Sequence, residues 1–163
     1  MKYEEVRIRI RSGDLLAWSH RTPWYRSWHD FKIAMVRMFT MSEFSHVGVA
    51  WRVGGRVMVI EAVQPSVRII PLSKTGEFYW VPVPAQFTDD VLEFALSKVG
   101  EPYSQLQAME ALFRLPSDDN KWECAELSRS ILARAGVDLG DVATPTAVVH
   151  KAMEGGALVR IVN

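Results

Sequence analysis

A chain of 163 residues is long enough to bury a core as one domain, and 48% hydrophobic with 23% charged side chains is an ordinary globular composition. Its 19 basic and 19 acidic side chains cancel, so bulk charge gives no footing for nucleic-acid binding. No stretch approaches the roughly 20 apolar residues of a membrane-spanning helix, and residues 1–11 lack the apolar block of a signal peptide. Cytoplasmic residence is therefore the default expectation, with phage association or signal-less export left open.

In chain order, Val6, Ile8 and Ile10 alternate with Arg7, Arg9 and Arg11, which predicts a half-buried first strand carrying an arginine stripe. Ser12-Gly13-Asp14 makes a turn, and Leu15-Leu16-Ala17-Trp18 begins a second strand. Residues 18–29 interleave Trp18, Trp24, Tyr25 and Trp28 with His20, Arg21, Arg26 and His29. Such a loop either lines a substrate cleft or covers the core with its tryptophans. Phe31, Ala34, Met35 and Met38 then follow helical spacing.

His46–Val53 and Val57–Val63 read as a hairpin around Gly54-Gly55, followed by strands at Val67–Ile70 and Phe78–Val83. Prolines 71, 82 and 84 mark edges or strand ends. The second half is helical. Thr88 opens a helix with a stripe of Val91, Leu92, Ala95, Leu96 and Val99, ended by Gly100. Ser104 with Gln107 and Asn120 with Glu123 resemble capping boxes for two more helices, the first stopped by Pro116 and the second closed by Gly136. Thr144-Pro145 starts a last helix that Gly155-Gly156 ends, and Ala157–Val162 closes the chain as a strand. The expected class is α+β in a single domain over residues 1–163.

The chain's only cysteine, Cys124, falls where a loop turns into a helix. The positive end of a helix dipole favours the thiolate, which is the reactive form. A lone cysteine is commonly just a small buried hydrophobe. The hairpin supplies what could make it more. With a two-residue Gly-Gly loop, Val53 faces Arg56, Gly48 faces Glu61 and His46 faces Val63. His46 and Glu61 then share a face as diagonal neighbours about 7–8 Å apart at the backbone, and a one-residue slip would separate them. Val47, Val49, Trp51, Met58 and Ile60 occupy the other face as core. The small Gly48 and Ala50 on the His46 face leave room for a helix there. Cys124 can thus supply a nucleophile, His46 its base, Glu61 the carboxylate that orients the base, and the start of the helix an oxyanion site.

Ser45-His46-Val47-Gly48 on one strand, Glu61-Ala62 on the next and Cys124-Ala125-Glu126-Leu127 opening a later helix resemble the permuted branch of the NlpC-type papain-like cysteine hydrolases, which includes the bacterial YiiX-like proteins. Gly13-Asp14-Leu15-Leu16 resembles the first strand of that branch, and Gly100-Glu101-Pro102-Tyr103 its Gly-x-Pro-Tyr segment. The resemblance covers about residues 12–130. It implies a papain-like core in which a helix bearing Cys124 packs against a sheet bearing His46 and Glu61. It further implies cleavage of amide bonds or acyl transfer, with Tyr103 lining the site. Many unpermuted members carry Asp-Cys-Ser-Gly at the nucleophile where this chain has Glu-Cys-Ala-Glu, which counts against cell-wall endopeptidase specificity more than against thiol chemistry.

The leading expectation is a thiol hydrolase or acyltransferase working through an acyl-Cys124 thioester, with Cys124, His46 and Glu61 catalytic and Tyr103, Trp18 and Trp24 binding a small peptide, acyl or cell-wall-derived substrate. The alternative is an inactive binding module of the same fold using loop 18–29. No cofactor is expected. A metal site ranks low because no paired Cys-x-x-Cys or His-x-x-x-His spacing occurs, and His20, His29 and His150 have simpler roles.

Overall fold

The alternation on either side of Gly54-Gly55 folds back as expected, with β2 (His46–Val53) and β3 (Arg56–Val63) paired in the register Val53–Arg56, Trp51–Met58 and Val49–Ile60. This hairpin belongs to a six-stranded antiparallel sheet in the order β4-β3-β2-β1-β5-β6. The other strands are β1 (Leu15–Trp18), β4 (Ser66–Pro71), β5 (Phe78–Val81) and β6 (Val159–Ile161). The computed structural model describes residues 1–19, 43–103, 123–155 and 157–161. The expected helix around Phe31–Met38, the Ser104–Gln107 box with its Pro116 stop, and the loop beyond Ser19, Trp24 included, lie outside those residues.

Four helices occur among the described residues: α1 (Tyr3–Val6), α2 (Asp89–Ser97), α3 (Cys124–Arg134) and α4 (Pro145–Met153). The α+β architecture is therefore as expected, with strands gathered in the first half and helices in the second. In α3 the buried residues Cys124, Leu127, Ser128, Ile131 and Leu132 form a helical stripe. That stripe lies on β2 and β3, joining Val47, Val49, Ile60 and Ala62 in one core together with Val91 and Ala95 of α2 and Val148 and Val149 of α4. Thr144 caps α4 by accepting from the Ala147 N–H at 3.2 Å, with Pro145 at the first helical position.

Four expectations need correction. Val6–Ile10 is not a strand. Tyr3–Val6 is helical and is followed by a turn, because Tyr3, Val6 and Ile10 are buried at helical spacing while Ile8, at 71% exposure, faces solvent. The arginine stripe dissolves with it. Second, α2, α3 and α4 pack on the face opposite His46, and among the described helices only the short α1 lies on the His46 face. That face of the sheet has its own core, in which Tyr3, Val6 and Ile10 cover Leu16, Trp18, Ala50, Val59, Phe78 and Trp80. Both faces are buried, so alternation alone could not say which one takes the helices. Third, α3 starts at Cys124 rather than after Asn120. Glu123 is in extended conformation (φ −97°, ψ 157°) and is the residue before the first turn. The α2 stripe is also narrower than expected, with Leu96 and Val99 exposed.

Asp14 fastens the N-terminal segment to the sheet. Its buried carboxylate accepts from the Arg11 N–H (2.8 Å), the Trp80 Nε1–H (2.8 Å) and the Val83 N–H (3.2 Å). Gly13 precedes it at φ +91°, and a Cβ there would lie 2.5 Å from the Ala85 Cβ, so the turn needs glycine. Asp14→Ala strands three donors at once. Its urea-unfolding free energy is expected to fall by on the order of 3 kcal/mol with an unchanged denaturant slope.

Candidate active site

Extending the β2–β3 register by one pair sets Gly48 opposite Glu61. A Cβ at position 48 would sit 2.8 Å from Val59 Cγ2 and 3.3 Å from Glu61 Cβ. With no side chain there, Glu61 leans across to His46, and its Oε2 meets His46 Nε2 at 2.7 Å. The diagonal expected from the Gly-Gly loop is thus a direct hydrogen bond.

Glu61 is only 3% exposed. A carboxylate so buried is costly unless both oxygens are satisfied. The second oxygen, Oε1, accepts from Arg68 Nε at 2.9 Å, and Arg68 Nη2 lies 2.8 Å from the same oxygen as an ion pair. Arg68 is the cross-strand partner of Glu61 on β4. Burial works to raise the Glu61 pKa, but His46 and then Arg68 outweigh it and hold the carboxyl below its ordinary range.

Cys124 reaches His46 from the opposite face. His46 is the first residue of β2, so its ring stands at the end of the sheet, beside the first turn of α3. Burial disfavours the imidazolium, yet hydrogen bonding with Cys124 and Glu61, and the charges of both, push His46 up to about 9. Glu61 occupies Nε2, which leaves Nδ1 as the nitrogen for the sulfur. Cys124 itself is 7% exposed.

Two further side chains frame the pair. Trp18 is the cross-strand neighbour of His46, its ring 5.2 Å from the imidazole at 37° and 6.3 Å from Phe78. At 7% exposure it roofs the histidine, and its π face favours the charged ring. Tyr103 is brought in by the backbone. Val67 N–H donates to Glu101 O, Gly100 N–H to Val67 O and Tyr103 N–H to Pro65 O, each at 2.9 Å, laying residues 100–103 along the start of β4. Burial, and then the charges of Cys124 and Glu123, push the Tyr103 hydroxyl upward. The structure therefore gathers Cys124, His46, Glu61, Trp18 and Tyr103, while Trp24 lies outside the described residues.

Sequence reasoning missed Arg68. The signal was present, because pairing the strand ending at Val63 with the one starting near Val67 around Gln64-Pro65 brings Arg68 opposite Glu61. His150, by contrast, is an exposed residue of α4 with its Nε2 3.8 Å from Glu43 Oε2. Among the described residues, no group of three or more His, Cys, Asp and Glu side chains is arranged to hold a metal ion. No described helix is long and apolar enough to cross a membrane.

No protein-family model matches the chain, and no curated protein does. Among solved structures it is similar to the crystal structure of YiiX from Escherichia coli O157:H7, described as a metalloprotein and as DUF1105, with a TM-score of 0.56 and 19% identity over 94% of this chain and 89% of that one. At that identity the likeness is one of fold, and the fold is YiiX-like.

The His46 shift has a thermodynamic consequence with a definite sign. A histidine whose folded pKa is raised stabilises the fold fully below its unfolded value of about 6.5, and the contribution fades as pH climbs through about 9. The unfolding free-energy difference between wild type and His46→Ala is expected to be flat from about pH 5 to 6.5 and to shrink steadily toward pH 9, measured by urea titration across that range.

Proposed function

We propose that this protein is a thiol hydrolase or acyltransferase of the permuted papain-like type, with Cys124 as nucleophile, His46 as base and Glu61 as the group that orients the base. The observation that carries the reading is the position of one imidazole, engaged at Nε2 by Glu61 at 2.7 Å and interacting with Cys124 on its other side. A nucleophile, a base and an orienting carboxylate in series are what nucleophilic catalysis requires.

The chemistry follows atom by atom. His46 Nδ1 takes the Sγ proton while Glu61 holds Nε2–H. The thiolate adds to the carbonyl carbon of an amide, ester or thioester. The backbone N–H groups of Cys124 and Ala125 precede the first intrahelical bond, from Leu127 N–H to Glu123 O, and face the developing oxyanion. His46 returns the proton to the leaving group as its bond to carbon breaks, which leaves an acyl thioester on Cys124. Water or another acceptor, deprotonated by His46, then attacks the thioester and frees the thiol. Tyr103 borders the acyl site, and Trp18 keeps water off one face of the imidazole. Small peptides, acyl compounds and cell-wall fragments are the substrate classes this chemistry serves.

YiiX is described as a metalloprotein, but here the same side chains are already engaged with one another. Glu61 has Oε2 on His46 and Oε1 on Arg68, and His46 has Nε2 on Glu61. That leaves Nδ1 and Sγ, two donors where a catalytic zinc takes three from the protein. The described residues do not fit a metal centre. Protein purified without chelator is expected to carry well under one equivalent of zinc, read by elemental mass spectrometry.

Iodoacetamide labelling of the native protein tests the nucleophile. At pH 6–7 Cys124 is expected to label faster in the native than in the unfolded protein, and His46→Ala to slow native labelling by about tenfold or more. Glu61→Gln slows it less, since an amide oxygen still accepts from Nε2–H. Labelling that appears only on unfolding would make Cys124 a packing residue and end the proposal.

A further inference from the structure

Arg68 takes no part in the chemistry of Cys124 and His46. It is not a generic surface cation. Its side chain is 50% exposed, yet Nε and Nη2 both point inward onto one oxygen of a carboxylate that is itself buried, at 2.9 and 2.8 Å. The other oxygen of that carboxylate holds His46. A carboxylate gripped at one oxygen only can rotate about its last torsion and swing the second oxygen off the imidazole. Gripped at both, it is fixed in plane and direction. The register provides the grip, because Glu61 and Arg68 are directly opposed on β3 and β4 and Gly48 clears the other side.

We infer that Arg68 is a positioning residue for the reaction: its fork on Oε1 keeps Glu61 ionised and aimed at His46 Nε2, and so sets the acid side of the pH range over which the Cys124–His46 pair works. This rests on the catalytic reading of Cys124. Arg68 touches neither substrate nor sulfur and acts only through Glu61. A guanidinium suits the place better than an ammonium, since its planar fork presents two N–H groups in fixed geometry where lysine presents a point charge.

Among the described residues, the charged groups acting on the imidazole are Cys124 and Glu61. Those near Glu61 are His46 and Arg68. Removing the fork should let burial raise Glu61, so that it takes up a proton at higher pH and releases the imidazole sooner on acidification. The effect is expected to be about one pH unit, a tenfold change in proton affinity, for loss of one charge-assisted contact.

The experiment has two arms on the full chain. In the first, Glu61 protonation is followed through the His46 ring resonances by NMR in Cys124→Ala protein, with Arg68 intact, Arg68→Lys and Arg68→Gln. The expected midpoints rise in that order. In the second, iodoacetamide labelling of Cys124 is measured from pH 4 to 8 for wild type, Arg68→Lys and Arg68→Gln, and the acid limb should move in the same order. If Arg68→Gln fails to fold, Arg68→Lys against wild type still decides. Superimposable midpoints and acid limbs overturn the inference, as does any other order. Failure of the catalytic reading shows separately, in the wild-type labelling arm. There Cys124 would react no faster than in unfolded protein, and the inference would fall with it whatever the NMR midpoints do.

Discussion

A carboxylate buried between two cations is the interaction on which the site depends. Glu61 could not lie at 3% exposure with one partner, because a half-satisfied buried charge costs several kcal/mol. Its two oxygens are divided between His46 and Arg68, which stand on the strands either side of β3. The electrostatics therefore require three strands in one register: a slip of β2 would move His46 to the far face, and a slip of β4 would move Arg68. The hydrophobic cores on both faces enforce that register, so packing far from the site fixes the geometry within it.

The two-sided burial also explains how a sulfur and a carboxylate from opposite faces come to share one imidazole. α3 lies on the Val47 and Val49 face, whereas His46 belongs to the face covered by α1 and the residues around it. They can meet only where the sheet stops. His46 is the first residue of β2 and Cys124 the first of α3, so both are terminal, and the end of the sheet is open to both faces. A histidine two residues further along, at position 48, would be walled off from the helix.

Much of this was legible in the sequence. The Gly54-Gly55 turn gave the hairpin register and with it the His46–Glu61 pair, and Thr144-Pro145 gave the start of α4. The failures have physical causes. Val6, Ile8 and Ile10 alternate, but Val6 and Ile10 also fall one helical turn apart, and burial of Tyr3 and Val6 decided for the helix. Gly48 was expected to make room for a helix, and it instead makes room for the Glu61 side chain. Arg68 was missed because pairing of β3 with β4 depends on a turn at Gln64-Pro65 that carries no glycine signature. Trp18, expected to bind substrate, is the cross-strand partner of His46 and lies against its ring.

Residues 100–103 have one more effect, on the outer margin of the sheet. β4 is an edge strand, and a bare edge invites a strand from another molecule. Along its first residues that invitation is already taken, by the backbone bonds from Val67 to Glu101, Gly100 to Val67 and Tyr103 to Pro65. Pro71 ends the strand, and Arg68 puts a cation midway. The segment that carries Tyr103 is thus also a guard against aggregation, and a chain that loosened it would at the same moment bare a template for intermolecular β pairing.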